Sequence, residues 1–176
     1  MKISVPSLQS GRHVFESSEA PTDYGESAAA SGLCFCGNIV VRAVVNKMAN
    51  DLFVRADVRT SVRAQCGRCT KEFDQPVTGT IEALYVPDQQ RDMDGPAAHR
   101  AEGESQRLLY YSGGVVDLGE QIFESLSLAV PMKPLCRADC KGLCPHCGRN
   151  RNEGPCSCTE PDDFNKPFRK LFPKDG

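Results

Sequence analysis

Eight cysteines in this sequence stand in pairs whose spacing suits metal ligation. The C-terminal third reads Cys136-x3-Cys140-x3-Cys144-x2-Cys147-x8-Cys156-x-Cys158. Its most specific piece is Cys144-Pro145-His146-Cys147-Gly148. In such a knuckle two thiolates face one ion, the backbone N–H groups of the turn face the sulfurs, and glycine permits the tight path. One knuckle supplies half a tetrahedron. Cys156 and Cys158 are the nearest candidates for the other half, although their one-residue gap departs from the commoner two. A second turn of the same kind, Cys66-Gly67-Arg68-Cys69, lies at the end of an expected strand. Cys136 and Cys140 remain to complete it. The spacing therefore favours a tail site of Cys144, Cys147, Cys156 and Cys158, and a split site of Cys66, Cys69, Cys136 and Cys140. A single or shared site is the alternative. Four thiolates suit zinc in a closed structural site, so about two zinc ions are expected.

This reading depends on a reducing compartment, because the same cysteines in an oxidising one suggest disulfides. No apolar run in the chain approaches the roughly 20 residues that span a bilayer. The stretch Met1 to Gly11 has no continuous apolar segment of signal-peptide length. A cytoplasmic location with no membrane association is the expectation. Cys34-x-Cys36 reads as two ordinary thiols at a strand start. His13 and His99 lie in polar segments, and His146, between two ligands, is expected to face solvent.

Catalytic zinc keeps an open position and usually takes His or carboxylate ligands. No nucleophile, base and orienting group occur together, so neither an enzyme nor a small-molecule substrate is expected. A rubredoxin-like carrier with iron or zinc in thiolate is the alternative, although Cys156-x-Cys158 is not the second knuckle such a site needs. The formal net charge of −2 argues against generic binding to a phosphate backbone. Any RNA contact has to be local. Arg55, Arg59 and Arg63 recur on one strand face, with Arg149, Arg151, Arg169 and Lys170 elsewhere, and these are candidate RNA contacts. Asp57 neutralises part of that face. No aromatic-rich platform for stacking bases is visible.

The elements that must position these residues read as mainly β (α+β): an antiparallel β meander with one packed helix and a C-terminal zinc-knuckle segment. Three segments are expected. Residues 1–37 hold a short strand at Lys2–Leu8 and a mobile loop over 9–32. Residues 38–130 hold the sheet and helix, with a disordered loop at about 87–107. Residues 131–176 form the cysteine-rich metal-binding tail. Ile39, Val41, Ala43 and Val45 alternate on one face, as do Leu52, Val54, Ala56, Val58, Val62 and Ala64. Asn50-Asp51 is the expected turn between them. Phe73 and Val77–Val86 supply a third strand, and Leu108–Val116 another. Asp117 and Glu120 suggest a capping box, followed by Leu118, Ile122, Leu126 and Ala129 at helical spacing up to Pro131.

The tail resembles the YceD family, the large ribosomal RNA subunit accumulation proteins. The residues that carry the resemblance are Pro131-Met132-Lys133-Pro134-Leu135-Cys136, Asp139-Cys140-Lys141-Gly142-Leu143-Cys144-Pro145-His146-Cys147-Gly148 and Cys156-Ser157-Cys158. Cys66-Gly67-Arg68-Cys69 fits the central cysteine turn of that family, and Val116-Asp117-Leu118 fits the segment before its Pro-Met. The resemblance spans roughly residues 38 to 172. It implies a bacterial or organellar protein without catalytic activity that supports accumulation of large-subunit rRNA and ribosome assembly. The implied partner is the pre-ribosomal large subunit, through rRNA, a ribosomal protein, or both. Some family members lack the C-terminal cysteines, so the metal sites are not needed throughout the family. This chain departs from the pattern in Cys34 and Cys36, and in Asn150-Arg151-Asn152, where a more apolar middle residue is usual.

Overall fold

A computed structural model describes residues 1–90 and 107–158 of the chain. Most of the loop expected at 87–107, together with His99, Arg169 and Lys170, lies outside the described residues. The fold is mainly β. Contacts divide it into two units, one of Met1–Ala64 with Asp74–Met132, the other of Gln65–Phe73 with Lys133–Gly176. No helix among the described residues is long and apolar enough to cross a membrane.

In the first unit the alternating apolar runs become β3 (Ile39–Met48) and β4 (Asp51–Gln65), paired antiparallel from Val40↔Arg59 to Met48↔Asp51. Ile39, Val41, Ala43, Val45, Leu52, Val54 and Val58 are wholly buried on one face. The turn falls on Ala49-Asn50, one residue earlier than expected, with Ala49 at φ 54°. Strand β5 (Glu72–Pro87) neighbours β4. Their short connection permits only an antiparallel arrangement, since a parallel pair needs a crossover of a dozen residues or more.

The N-terminal stretch expected as a loop carries structure. After β1 (Lys2–Ser4), strand β2 (Gly11–Glu19) pairs antiparallel with β3 along its whole length, Gly11↔Lys47 to Glu19↔Ile39. A 3-10 turn at Pro21–Tyr24 and a short helix α1 (Glu26–Ala30) follow. The inward positions of β2 are His13, Phe15, Ser17 and Glu19, a set with one strongly apolar member. Hydrophobic alternation is therefore too weak to mark the strand, and the ladder with β3 supplies what the side chains do not.

The single strand expected at Leu108–Val116 is two. Strand β6 (Arg107–Tyr111) joins β5 in parallel, giving a five-stranded sheet of order β2-β3-β4-β5-β6. Strand β7 (Val115–Asp117) pairs with β1 in a separate two-stranded sheet. Between them Gly113 and Gly114 stand at φ 62° and 69°, with Ser112 bridged to Val115. Two successive positive φ values make a type I′ reversal, which glycine adopts without steric cost.

Helix α2 (Gly119–Ala129) covers the buried sheet face with Leu118, Ile122 and Leu126, none of them exposed, and stops before Pro131. Leu118 occupies the N-cap, so the expected capping box does not close. Asp117 Oδ1 instead accepts from the Gly119 N–H at 2.9 Å. The helix lies so close to β5 that a Cβ on Gly79 would stand 2.6 Å from Ser125 Oγ and 2.9 Å from its carbonyl carbon. Phe123 meets the rings of Tyr24 and Phe35 edge-on at 5.2 and 5.7 Å, so the N-terminal segment closes the core.

Candidate metal centres

The second unit is built from the connection between β4 and β5 and from the chain after α2. Apart from the ends of β4 and β5 it has no helix or strand among the described residues, and its backbone is organised around sulfur. Two turns do this in the same way. In the tail knuckle the Cys144 N–H donates to Arg149 O at 2.8 Å, and the Gly148 N–H donates to Cys144 O at 2.9 Å. In the other knuckle Cys66 donates to Lys71 O at 2.9 Å, and Thr70 to Cys66 O at 3.0 Å. Both turns need a left-handed residue after the second cysteine: Gly148 at φ 70° in one, Thr70 at φ 59° in the other.

The knuckles gather the sulfurs into two sets. Cys66, Cys69, Cys136 and Cys140 form one, Cys144, Cys147, Cys156 and Cys158 the other, and within each set all sulfurs lie within 4.8 Å of one another. Cys66 and Cys140 are 3.8 Å apart, Cys69 and Cys136 3.7 Å, and Cys144 and Cys156 3.4 Å. A tetrahedron with metal–sulfur bonds of about 2.3 Å has sulfur–sulfur edges of about 3.8 Å. The sets thus have the dimensions of four-thiolate sites, and the donors fit zinc. The split set is the more enclosed, with Cys66, Cys69 and Cys140 buried among Phe73, Leu135 and Leu143. In the tail set Cys144 is buried, while Cys147 and Cys158 are exposed.

Electrostatics within each set are uneven. The Cys66 thiol is pulled down to about 6, first by the backbone N–H of Cys136, whereas burial pushes Cys136 up to about 12. Cys144 falls to about 6 under the N–H groups of Cys147 and His146. Cys158 is pushed up to about 12, first by its contact with the Cys147 sulfur. The N–H groups favour one thiolate, and crowding of sulfur disfavours the next. A bound cation is what allows four neighbouring thiols to ionise together.

The remaining residues singled out by sequence lie elsewhere. Cys34 and Cys36 are outside both sets. They are exposed on an extended segment where Phe35 bridges to Val62 of β4, and Cys36 Sγ lies 3.3 Å from Asp74 Oδ1. Arg55, Arg59 and Arg63 do share the outer face of β4. Two of them meet carboxylates of β5: Arg55 Nε meets Glu82 Oε1 at 3.2 Å, and Arg63 Nε meets Asp74 Oδ1 at 2.9 Å. Arg149 and Arg151 are exposed in the second unit. Asn152, which no spacing marks as a site residue, places its Nδ2 3.3 Å from Cys140 Sγ. Only its place between Cys147 and Cys156 hinted at a role.

The fold and its sulfur sets define a β-sheet protein with a cysteine-knuckle unit able to take metal. A family model described as large ribosomal RNA subunit accumulation protein YceD matches residues 54–172, and the chain belongs to that family. Among curated proteins it is similar to uncharacterized proteins of mycobacteria. One from Mycobacterium leprae is 26% identical over 104 residues, 59% of this chain and 45% of that protein. Others, from Mycobacterium bovis and Mycobacterium tuberculosis, are each 29% identical over 105 residues, 59% of this chain and 47% of theirs. The chain thus matches about half the length of these relatives. No solved structure matches it.

Proposed function

We propose that this protein is a non-enzymatic zinc-binding factor that supports accumulation of large-subunit rRNA and ribosome assembly in the cytoplasm. The family match carries this reading, because it spans the second half of the sheet, the helix and all eight paired cysteines. Cys66, Cys69, Cys136 and Cys140 hold one zinc ion, and Cys144, Cys147, Cys156 and Cys158 hold another. When bound, the ions cross-link the second unit and supply no chemistry. The partner is the pre-ribosomal large subunit, met through rRNA or a ribosomal protein.

The outer face of the five-stranded sheet bears on how that partner is met. Arg55 and Arg63 are engaged by carboxylates, and Arg42 pairs with Glu16 at 3.2 Å. Val14 and Val40 are about half exposed beside them, Val14 opposite Val44 and Val40 opposite Arg59 in register. Such a mixed face supports contact with a folded particle more than with naked RNA, whose binding rests on uncompensated cations. Depletion of the protein, followed by sucrose-gradient profiles, tests the function. A deficit of large subunits, with the protein sedimenting among their precursors, is the expected result. Normal subunit ratios would refute the ribosomal reading, and tight, salt-resistant binding to naked RNA would refute the reading of the sheet face.

A further inference from the structure

The eight sulfurs leave one polar cluster of the second unit unexplained. The Asn152 side chain makes four contacts. Its Oδ1 accepts from Arg137 Nη2 at 2.7 Å and from the Lys141 N–H at 2.9 Å. Its Nδ2 donates to Cys140 Sγ at 3.3 Å and to Asn150 Oδ1 at 2.8 Å. These partners fix which way the amide faces. Two donors converge on one end, which only an oxygen accepts, so the NH2 group must point at the sulfur. Asn150 holds the arrangement from behind: its Oδ1 also accepts the Asn152 N–H at 3.1 Å, and its Nδ2 donates to Glu153 Oε1 at 3.1 Å.

Chain position gives this contact its meaning. Asn152 lies between Cys147 and Cys156, inside the loop that the tail site closes. Its NH2 ends on Cys140, a sulfur of the split site. We propose that Asn152 is a positioning residue that couples the two thiolate centres, so that filling one raises the affinity of the other. The proposal rests on the reading of both sulfur sets as metal sites. Metal in the tail site anchors the loop at both ends and holds the amide where its N–H stabilises the Cys140 thiolate. Hydrogen bonds of this outer kind change metal affinity by about 10–100-fold when removed. Coupling is reciprocal by thermodynamic necessity, so metal in the split site must favour closure of the tail loop by the same factor.

The test is a zinc titration of the metal-free full chain followed by native mass spectrometry, with cobalt(II) as a spectroscopic probe. Wild type is expected to pass from the metal-free to the two-ion form while the one-ion form stays minor. Asn152→Asp keeps the oxygen that meets Arg137 and Lys141 but turns a second oxygen toward Cys140. It should accumulate the one-ion form, with split-site affinity down by about 10-fold or more, and shift the thiolate-to-cobalt charge-transfer band. Asn150→Ala should move both readouts in the same direction by less, and it carries the test if Asn152→Asp fails to fold. Unchanged ion populations and an unchanged cobalt band in both variants overturn the coupling and leave the metal sites standing. A wild-type chain that takes up no ion overturns the metal sites as well.

Discussion

The two units of this chain are stabilised by different means. In the first, a five-stranded sheet and one helix bury a continuous aliphatic cluster, with Ile39, Leu52, Leu118, Ile122 and Leu126 removed from water. In the second, the corresponding centre is three buried cysteines with Phe73, Leu135 and Leu143 around them. Each buried aliphatic side chain contributes roughly 1.5–3 kcal/mol, and among the described residues the second unit has too few to offset the ordering of its backbone. On the proposed reading, zinc held by the two sulfur sets supplies the remainder.

The largest effect should follow from breaking that dependence. Structural zinc contributes about 10–16 kcal/mol of apparent binding free energy in small zinc-finger peptides, so chelation or Cys140→Ser should unfold the second unit. The amides of Leu143, Cys144, Gly148 and Arg151 bond to carbonyls within that unit and should lose their exchange protection. Amides of β3 and β4 in the sheet should keep theirs. Protection of the tail that survives complete metal removal would break the contrast between the units.

The converse perturbation is smaller. Leu126→Ala empties part of the first unit's core and should lower its stability by about 2–5 kcal/mol, measured by denaturant unfolding of the metal-loaded chain. Metal stoichiometry of the folded variant should not change. Loss of metal from it would mean that the two centres of stability are not separate.

The smallest effect compares the two knuckles. They share a hydrogen-bond pattern but differ in the left-handed residue, Thr70 in one and Gly148 in the other. A β-branched side chain is disfavoured there by about 1–2 kcal/mol, part of which glycine returns as entropy lost on folding. Thr70→Gly should raise resistance of the split site to chelator by a few-fold, on the order of 1 kcal/mol or less. Gly148→Thr should weaken the tail site by a similar or larger factor. Competition with a chelator of known affinity reads both, and opposite signs would show that the turn conformation does not set the difference.

The same contrast explains what could be read from sequence. Aliphatic alternation in β3 and β4 and helical spacing at Leu118, Ile122 and Leu126 are local signals, and they led directly to the sheet and helix. Cysteine spacing is equally local, which is why the two expected sets of four are those the fold brings together. Strand β2 stayed hidden because His13, Ser17 and Glu19 occupy three of its inward positions. Strands β6 and β7 look like one in sequence because the Gly113-Gly114 reversal interrupts an otherwise extended run. Asn152 was illegible for a different reason: its role depends on Arg137, Lys141 and Cys140 arriving beside it. Polar contacts made across a loop leave no periodic trace. The carboxylates facing Arg55 and Arg63 leave no local trace either, since they come from the neighbouring strand.

Zinc in both sets of four thiolates is open to a direct measurement. Native mass spectrometry of the chain purified without chelator, with elemental analysis of the same sample, addresses it most directly. A mass equal to the chain plus two zinc ions is expected, with all eight paired cysteines resisting alkylation until a chelator is added. A metal-free chain whose cysteines are joined in disulfides, or one carrying iron in place of zinc, would contradict it.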